Sequence, residues 1–293
     1  MDDQLRQQAI ELYDRFTHDG LERRDFFAAM TRIAGGAAAA NVLIGSIAAS
    51  PASAAIVSAD DRRLRTAMTT LRGAPGQSAY KVYVAEPRAR TAKRGTVIVV
   101  HENRGLNEHT RDVARRLALA GFHAVAPDFL SPSGGTPADE DAARDAIGKL
   151  DLGAATAAGV AMLDQLRTRA GGTGHIGVVG FCWGGAYVNR LAVAAGDKLS
   201  AGVVYYGTAP APVEAQRVSA PLLIHLAGLD ARVNQTALPW VTGLRAAGRP
   251  VTFHLYDGVN HAFNNDTSAE RYNKAAADLA WRRTLAFFKR HLR

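Results

Sequence analysis

Cys182, Asp230 and His261 stand in the chain order nucleophile, acid, histidine, and Cys182 is the only cysteine in the protein. A thiol attacks a carbonyl carbon once an imidazole takes its proton, and a carboxylate beside the imidazole fixes its tautomer and stabilises the imidazolium. The chemistry this spacing suggests is acyl transfer through a thioester. His261 takes the thiol proton and later protonates the leaving group, and Asp230 orients His261. Each residue has a plain structural alternative: a small buried thiol, a helix N-cap, a loop histidine. What favours chemistry is that all three fall at the ends of candidate strands.

The elements that must position them can be read in order. Ile176-Gly177-Val178-Val179 is an apolar, β-branched run of the buried type, and Gly180-Phe181-Cys182-Trp183-Gly184-Gly185 follows it at once. Residues 186–195 then have helical composition. Strand, G-x-nucleophile-x-G and helix make a nucleophile elbow, with Cys where Ser is usual. The glycines let strand and helix approach closely, and the helix N-terminus offers N–H groups to a developing anion. Residues 222–226 form an apolar strand that delivers Asp230, and His261 follows a last strand at 251–256.

An oxyanion needs two N–H donors aimed at one point. The residue after the nucleophile, Trp183, supplies one. The loop after the strand Thr96-Val97-Ile98-Val99-Val100 supplies the other, most simply through Asn103. Trp183, Tyr205, Tyr206, Phe129 and Phe263 are candidates for an apolar acyl pocket, or for core. His101-Glu102 does not open an H-E-x-x-H helix, because the fifth residue is Gly105. His101 and His225 read as core or supporting residues, and no metal and no organic cofactor are expected.

The remaining pattern alternates strand and helix. Residues 65–72 and 79–86 alternate in polarity around the turn Gly73-Ala74-Pro75-Gly76, which predicts an N-terminal antiparallel hairpin at a sheet edge. Strands follow at 96–100, 122–128, 176–179, 201–207, 221–230 and 251–256. Helices are expected at 107–121, across 139–169 with a break near 148–153, at 236–247 and at 273–292. This order specifies an α/β protein with a mostly parallel central sheet and helices on both faces. Ligands in such sheets bind at the carboxyl ends of the strands, where all the candidate residues lie.

His-Glu-x-x-Gly around Glu102, Gly-Phe-Cys-Trp-Gly-Gly, and Asp-Gly-x-x-His-Ala-Phe together resemble the dienelactone hydrolase (carboxymethylenebutenolidase) family of α/β-hydrolases, over roughly residues 75–292. The resemblance implies the α/β-hydrolase fold, a Cys-His-Asp triad and a Glu102 that holds the resting thiol until substrate binds. It implies hydrolysis of small carboxylic esters or lactones. A carboxylate beside a thiol opposes thiolate formation by like-charge repulsion, so such a coupling is physically reasonable. One feature departs from the family. Members acting on dienelactone carry an Arg shortly after the catalytic His, whereas this chain reads His261-Ala262-Phe263-Asn264-Asn265. Arg104 is the candidate replacement, with Tyr206 and Phe263 as further substrate contacts. A silent scaffold of the same fold, or a thioester or amide hydrolase, is the alternative reading.

Composition bounds the rest. A chain of 293 residues with 47% hydrophobic and 21% charged residues can bury a full core. Its net charge of +8 favours anionic small molecules weakly, and no basic block interleaved with aromatics suggests nucleic acid. Residues 1–54 form a distinct, net acidic leader, and the hydrolase-like domain begins at residue 60. Glu22-Arg23-Arg24-Asp25-Phe26-Phe27 resembles a twin-arginine export signal, followed by an Ala/Gly-rich run at 33–49 and an A-x-A site at Ala52-Ser53-Ala54. Periplasmic or secreted placement is the expectation, with cytoplasmic placement as the alternative. The run is too short and Gly-rich for a membrane anchor. The competing reading of the leader is a helix that stays packed on the domain, or across a homodimer.

Overall fold

In the computed structural model, which describes residues 3–48, 55–89 and 94–293, one eight-stranded sheet organises the chain. The strands are β1 (Leu64–Leu71), β2 (Tyr80–Pro87), β3 (Arg94–Val100), β4 (His123–Pro127), β5 (Gly172–Phe181), β6 (Ala201–Tyr205), β7 (Leu222–Ala227) and β8 (Val251–Tyr256). Their spatial order is β1-β2-β4-β3-β5-β6-β7-β8. β1 and β2 form the antiparallel edge hairpin, with Leu71 opposite Tyr80. β2 is antiparallel to β4. From β4 to β8 every pairing is parallel.

The parallel strands are apolar on both sides because both faces are covered. Val97, Val99, Val179 and Val203 point to α4 (Glu108–Leu119) and α9 (Lys274–His291), meeting Val113, Leu117, Ala280 and Phe288. Ile98, Val100, Val178, Val204 and Ile224 point to the opposite layer of α6 (Leu152–Arg167), α7 (Trp183–Ala194) and α8 (Ala231–Ala246). There they meet Met162, Tyr187, Leu191 and Trp240. The helices start where short polar side chains take the first free N–H groups: Asn107 before α4, Asp151 before α6, Asp230 before α8 and Asn273 before α9. The broken segment at 139–169 is α5 (Glu140–Gly148) followed by α6.

Boundaries at the site differ from the sequence expectation, two of them for clear reasons. Helix α8 begins at Ala231 rather than at 236, because the Asp230 carboxylate caps it by accepting from the Val233 N–H at 3.1 Å. The elbow strand begins at Gly172 instead of Ile176, as its first residues pair with the start of β3.

The first 48 residues fold as three helices, α1 (Asp3–His18), α2 (Arg23–Ala34) and α3 (Ala37–Ile47). They share an apolar cluster of their own, with Ile10, Tyr13, Phe26, Met30, Leu43 and Ile47 buried. The Ala/Gly-rich run is therefore not continuous: Gly35 caps α2 at φ 76°, and α3 leaves at 104° to it. Among the described residues, no single helix is long and apolar enough to cross a membrane. The Ala52-Ser53-Ala54 site lies outside the described residues. The three-helix unit docks on the sheet domain through polar contacts. Ser268 donates to the Ile47 carbonyl at 2.6 Å, Arg271 to Asp14 at 3.2 Å and Arg104 to the Tyr13 hydroxyl at 3.2 Å.

Backbones approach closely at the elbow. A Cβ on Gly184 would lie 2.5 Å from the carbonyl oxygens of Val100 and His101. Gly184→Ala should therefore cost about 1–3 kcal/mol, an overpacking penalty. At this chain length that is roughly 2–10 °C of Tm. Differential scanning calorimetry reads it, and an unchanged Tm would show that the elbow tolerates the methyl group.

Candidate active site

Three non-glycine residues among those described have positive φ: Cys182 at 54°, Tyr206 at 38° and Ala262 at 62°. All three lie at carboxyl ends of the sheet, after β5, after β6 and beside His261. Backbone held in that region by the surrounding fold marks a functional cluster. Cys182 precedes the first turn of α7 with ψ −114°, so the sharp bend predicted for the elbow is present. Trp183 is the first residue of α7, where an N–H has no acceptor within the helix. Asn103 lies in the loop after β3 and lines both cavities that reach Cys182. Both residues expected to supply the oxyanion donors thus lie around the cavity that reaches Cys182.

His261 and Asp230 are 2% and 6% exposed, and His261 Nδ1 lies 2.5 Å from Asp230 Oδ2. Burial alone would lower the His261 pKa, but the Asp230 carboxylate and Cys182 outweigh it and raise the value to about 10. Burial likewise opposes the Asp230 charge, and His261 overcomes it, holding the carboxyl below the usual 3.8. The other ring nitrogen, His261 Nε2, is buried without a hydrogen-bond partner among the described residues. The sulfur of Cys182 and a ring nitrogen of His261 lie within 4.8 Å of each other. The structure therefore brings Cys182, His261 and Asp230 together, with Asp230 serving both as N-cap and as partner of the imidazole.

Glu102 is at the same strand end, but its hydrogen bonds go elsewhere. Its Oε2 accepts from Asn265 Nδ2 at 2.8 Å, and its Oε1 faces the Tyr206 hydroxyl at 3.5 Å. The hydrogen-bond partner of the thiol is His18, whose Nε2 is 3.8 Å from Cys182 Sγ. Arg104 lines the smaller cavity of about 30 Å³ with Glu102, His261 and Arg271. Its guanidinium is held by Asp141, the Glu140 carbonyl and Tyr13. Tyr206 lines the larger cavity of about 280 Å³ together with Trp183, Thr208, Ile147 and Leu150. Phe263 is fully buried, packing against Tyr206 and Tyr256, with Tyr205 behind. Phe129 packs on Tyr187 and Trp183. His101 accepts from the Phe129 N–H and contacts the Glu102 carbonyl through Nδ1, and His225 bonds Thr284 and Tyr256, so both are supporting core groups.

A model of the dienelactone hydrolase family matches residues 80–292. The chain belongs to that family. This dienelactone hydrolase family member is 32% identical over 260 residues to an Escherichia coli O157:H7 protein provisionally named carboxymethylenebutenolidase. That match covers 83% of this chain and 94% of the relative. A Saccharolobus solfataricus protein with the same provisional name is 29% identical over 230 residues, covering 66% and 88%. Among solved structures, a protein from Klebsiella pneumoniae subsp. pneumoniae MGH 78578, provisionally described as a dienelactone hydrolase, superposes with a TM-score of 0.68. It is 28% identical and covers 77% of this chain and 98% of its own. The sheet is that of the α/β-hydrolase fold, and the chain is a hydrolase of the dienelactone hydrolase type.

Sequence reasoning did not single out His18 or Arg232. His18 ends α1 just before Asp19-Gly20, and nothing local marks it as facing a residue far along the chain. Arg232 follows Asp230 by two positions and lines the 280 Å³ cavity. Its Nε is buried without a partner, and it has no carboxylate partner among the described residues.

The Asp230–His261 pair has a pH signature. Asp230, with its pKa depressed, contributes stability above 3.8 that is lost as pH falls through its folded value. His261, with its pKa raised, contributes stability fully present below 6.5 that is lost as pH rises through about 10. Asp230→Asn keeps the helix cap but removes the charge. Its Tm deficit should be largest between about pH 4 and 6.5 and shrink towards pH 10 and towards strong acid. Thermal melts across pH test this, and a deficit independent of pH would contradict the pairing.

Proposed function

We propose that this protein hydrolyses small carboxylic esters or lactones through a Cys182 thioester. The observation that carries the reading is a thiol at a positive-φ elbow beside an imidazole whose far nitrogen is bonded to a buried carboxylate. The Cys182 sulfur attacks the carbonyl carbon, and the oxyanion takes hydrogen bonds from the backbone N–H groups of Trp183 and Asn103. The C–O bond breaks and the His261 proton passes to the leaving oxygen. Water then attacks the thioester, His261 takes its proton, and the acid departs as the sulfur is regenerated.

The cavity supports an acyl group that carries a negative charge. Of the two arginines lining it, Arg144 is paired with Asp141 and Asp145, whereas Arg232 is unpaired among the described residues. A guanidinium there binds a substrate carboxylate by charge-assisted hydrogen bonds. This replaces the function of the arginine that the segment after His261 lacks. As a separate proposal, the run from Glu22 to Phe27 directs export by the twin-arginine route, supported by its sequence pattern and by the exposed Arg23 and Arg24 side chains. N-terminal sequencing from the native host tests it. An extracytoplasmic chain that keeps the three-helix unit supports export of the folded protein, a cytoplasmic chain starting at Met1 opposes export, and a start near Ala55 would mean that α1 and its His18 contact with Cys182 are absent from the mature enzyme.

Cys182→Ala and His261→Ala should each lower kcat/KM for a short-chain p-nitrophenyl ester by about 10³-fold or more. Retained activity in Cys182→Ala would overturn the thioester mechanism. Arg232→Gln should raise KM for an aryl half-ester of succinate by about 10- to 100-fold and leave p-nitrophenyl butyrate unaffected. An equal effect on both esters would refute the anion contact.

A further inference from the structure

We propose that His18, at the end of α1, is a catalytic residue of this hydrolase whose ring nitrogen donates a hydrogen bond to the Cys182 sulfur. The inference rests on Cys182 being the nucleophile. It goes beyond the triad, because it assigns part of the reacting centre to the N-terminal helical unit, outside the residues matched by the family model.

The geometry is specific. His18 Nε2 lies 3.8 Å from Cys182 Sγ, within the range of a hydrogen bond to sulfur. The His18 and His261 rings meet edge to face at 5.1 Å. The sulfur thus faces two imidazoles, one from each structural unit. His18 is also a wall residue of the 280 Å³ cavity, the 30 Å³ cavity and an outer cleft, and the first two also reach Cys182. The end of α1 is fixed there by Asn103, whose Nδ2 donates to the Thr17 carbonyl at 3.4 Å. The Arg271–Asp14 and Arg104–Tyr13 contacts hold the same helix one turn earlier.

The two imidazoles are in opposite electrical states. Desolvation is the largest effect on His18 and pushes its pKa well below 6.5, and the positive charges of His261, Arg232, Arg271 and Arg104 push it in the same direction. The acids nearby are otherwise engaged: Asp14, one turn earlier on α1, accepts from Arg271, and Glu102, which shares the 30 Å³ cavity, accepts from Asn265. Two imidazolium ions cannot share this space, so His261 carries the proton and His18 stays neutral. A neutral N–H donor stabilises a thiolate without giving up its proton. His18 therefore enters no proton transfer: the leaving group is protonated by His261 alone, and the atom balance of the cycle is unchanged.

The test uses the full-length chain with His18→Ala and His18→Gln, the latter retaining a neutral N–H donor of similar reach. Two readouts are taken at pH 7: the rate of Cys182 alkylation by iodoacetamide, and kcat and KM for p-nitrophenyl butyrate. His18→Ala should alkylate about 10- to 100-fold more slowly and lose a similar factor in kcat, with KM little changed. His18→Gln should recover much of both. Melting temperatures of the two variants separate loss of fold from loss of the donor. If alkylation and kcat rise in His18→Ala, His18 is an obstruction, and if both are unchanged it is packing; either result overturns the proposal. A wild type that alkylates at Cys182 with this His18 dependence yet cleaves no ester would sink the hydrolase mechanism while leaving the sulfur contact established.

Discussion

A cysteine at φ 54°, ψ −114° is the constraint from which the rest of the structure follows. A non-glycine residue in that region costs on the order of 1–3 kcal/mol, and it persists only where the surroundings over-determine it. Here β5 holds it on one side and α7 on the other. Gly180, Gly184 and Gly185 let the two backbones and the neighbouring strand ends come into contact. Eight strands and two helical layers serve to keep that bend from relaxing. The same strand ends carry Tyr206 and Ala262, the other two non-glycine residues of positive φ among those described. Positive-φ backbone is therefore concentrated at the strand ends that bring Cys182 and His261 together.

Electrostatics does the remaining work at the bend. Asp230 is bound to its helix through one oxygen and to His261 through the other, so the imidazole cannot turn. Both groups are nearly inaccessible to water, which strengthens their attraction as well as the cost of separating them. Around them sit cations that are committed, such as Arg104 and Arg144, whereas Arg232 has no ion-pair partner among the described residues. The cavity wall therefore holds both the Cys182 thiol and a guanidinium without an ion pair among the described residues.

Much of this was legible in the sequence. Continuous apolar strands, glycines around Cys182 and the order Cys182, Asp230, His261 are local patterns, and local patterns survive translation into structure. The β3 loop with Glu102 and Asn103 also lies where a strand end placed it. What was not legible depends on contacts between distant parts of the chain. The orientation of Glu102 is set by Asn265, and the position of His18 by docking of a helical unit whose own cluster gives no sign of what its far end touches. The division of the N-terminal segment into α2 and α3 at Gly35 and Gly36 was likewise not drawn from the Ala/Gly-rich run itself. Arg232 was overlooked because an arginine in the first turn of a helix looks ordinary until its lack of a partner is seen.

Rapid-quench mass spectrometry of the enzyme mixed with a slowly deacylating aryl ester tests the central claim most directly. The account predicts one acyl group per chain, on the peptide containing Cys182, appearing at the rate of the first turnover and released by hydroxylamine as a thioester is. An acyl group on any other residue, or turnover with no Cys182 adduct even when quenched within the first turnover, would contradict it.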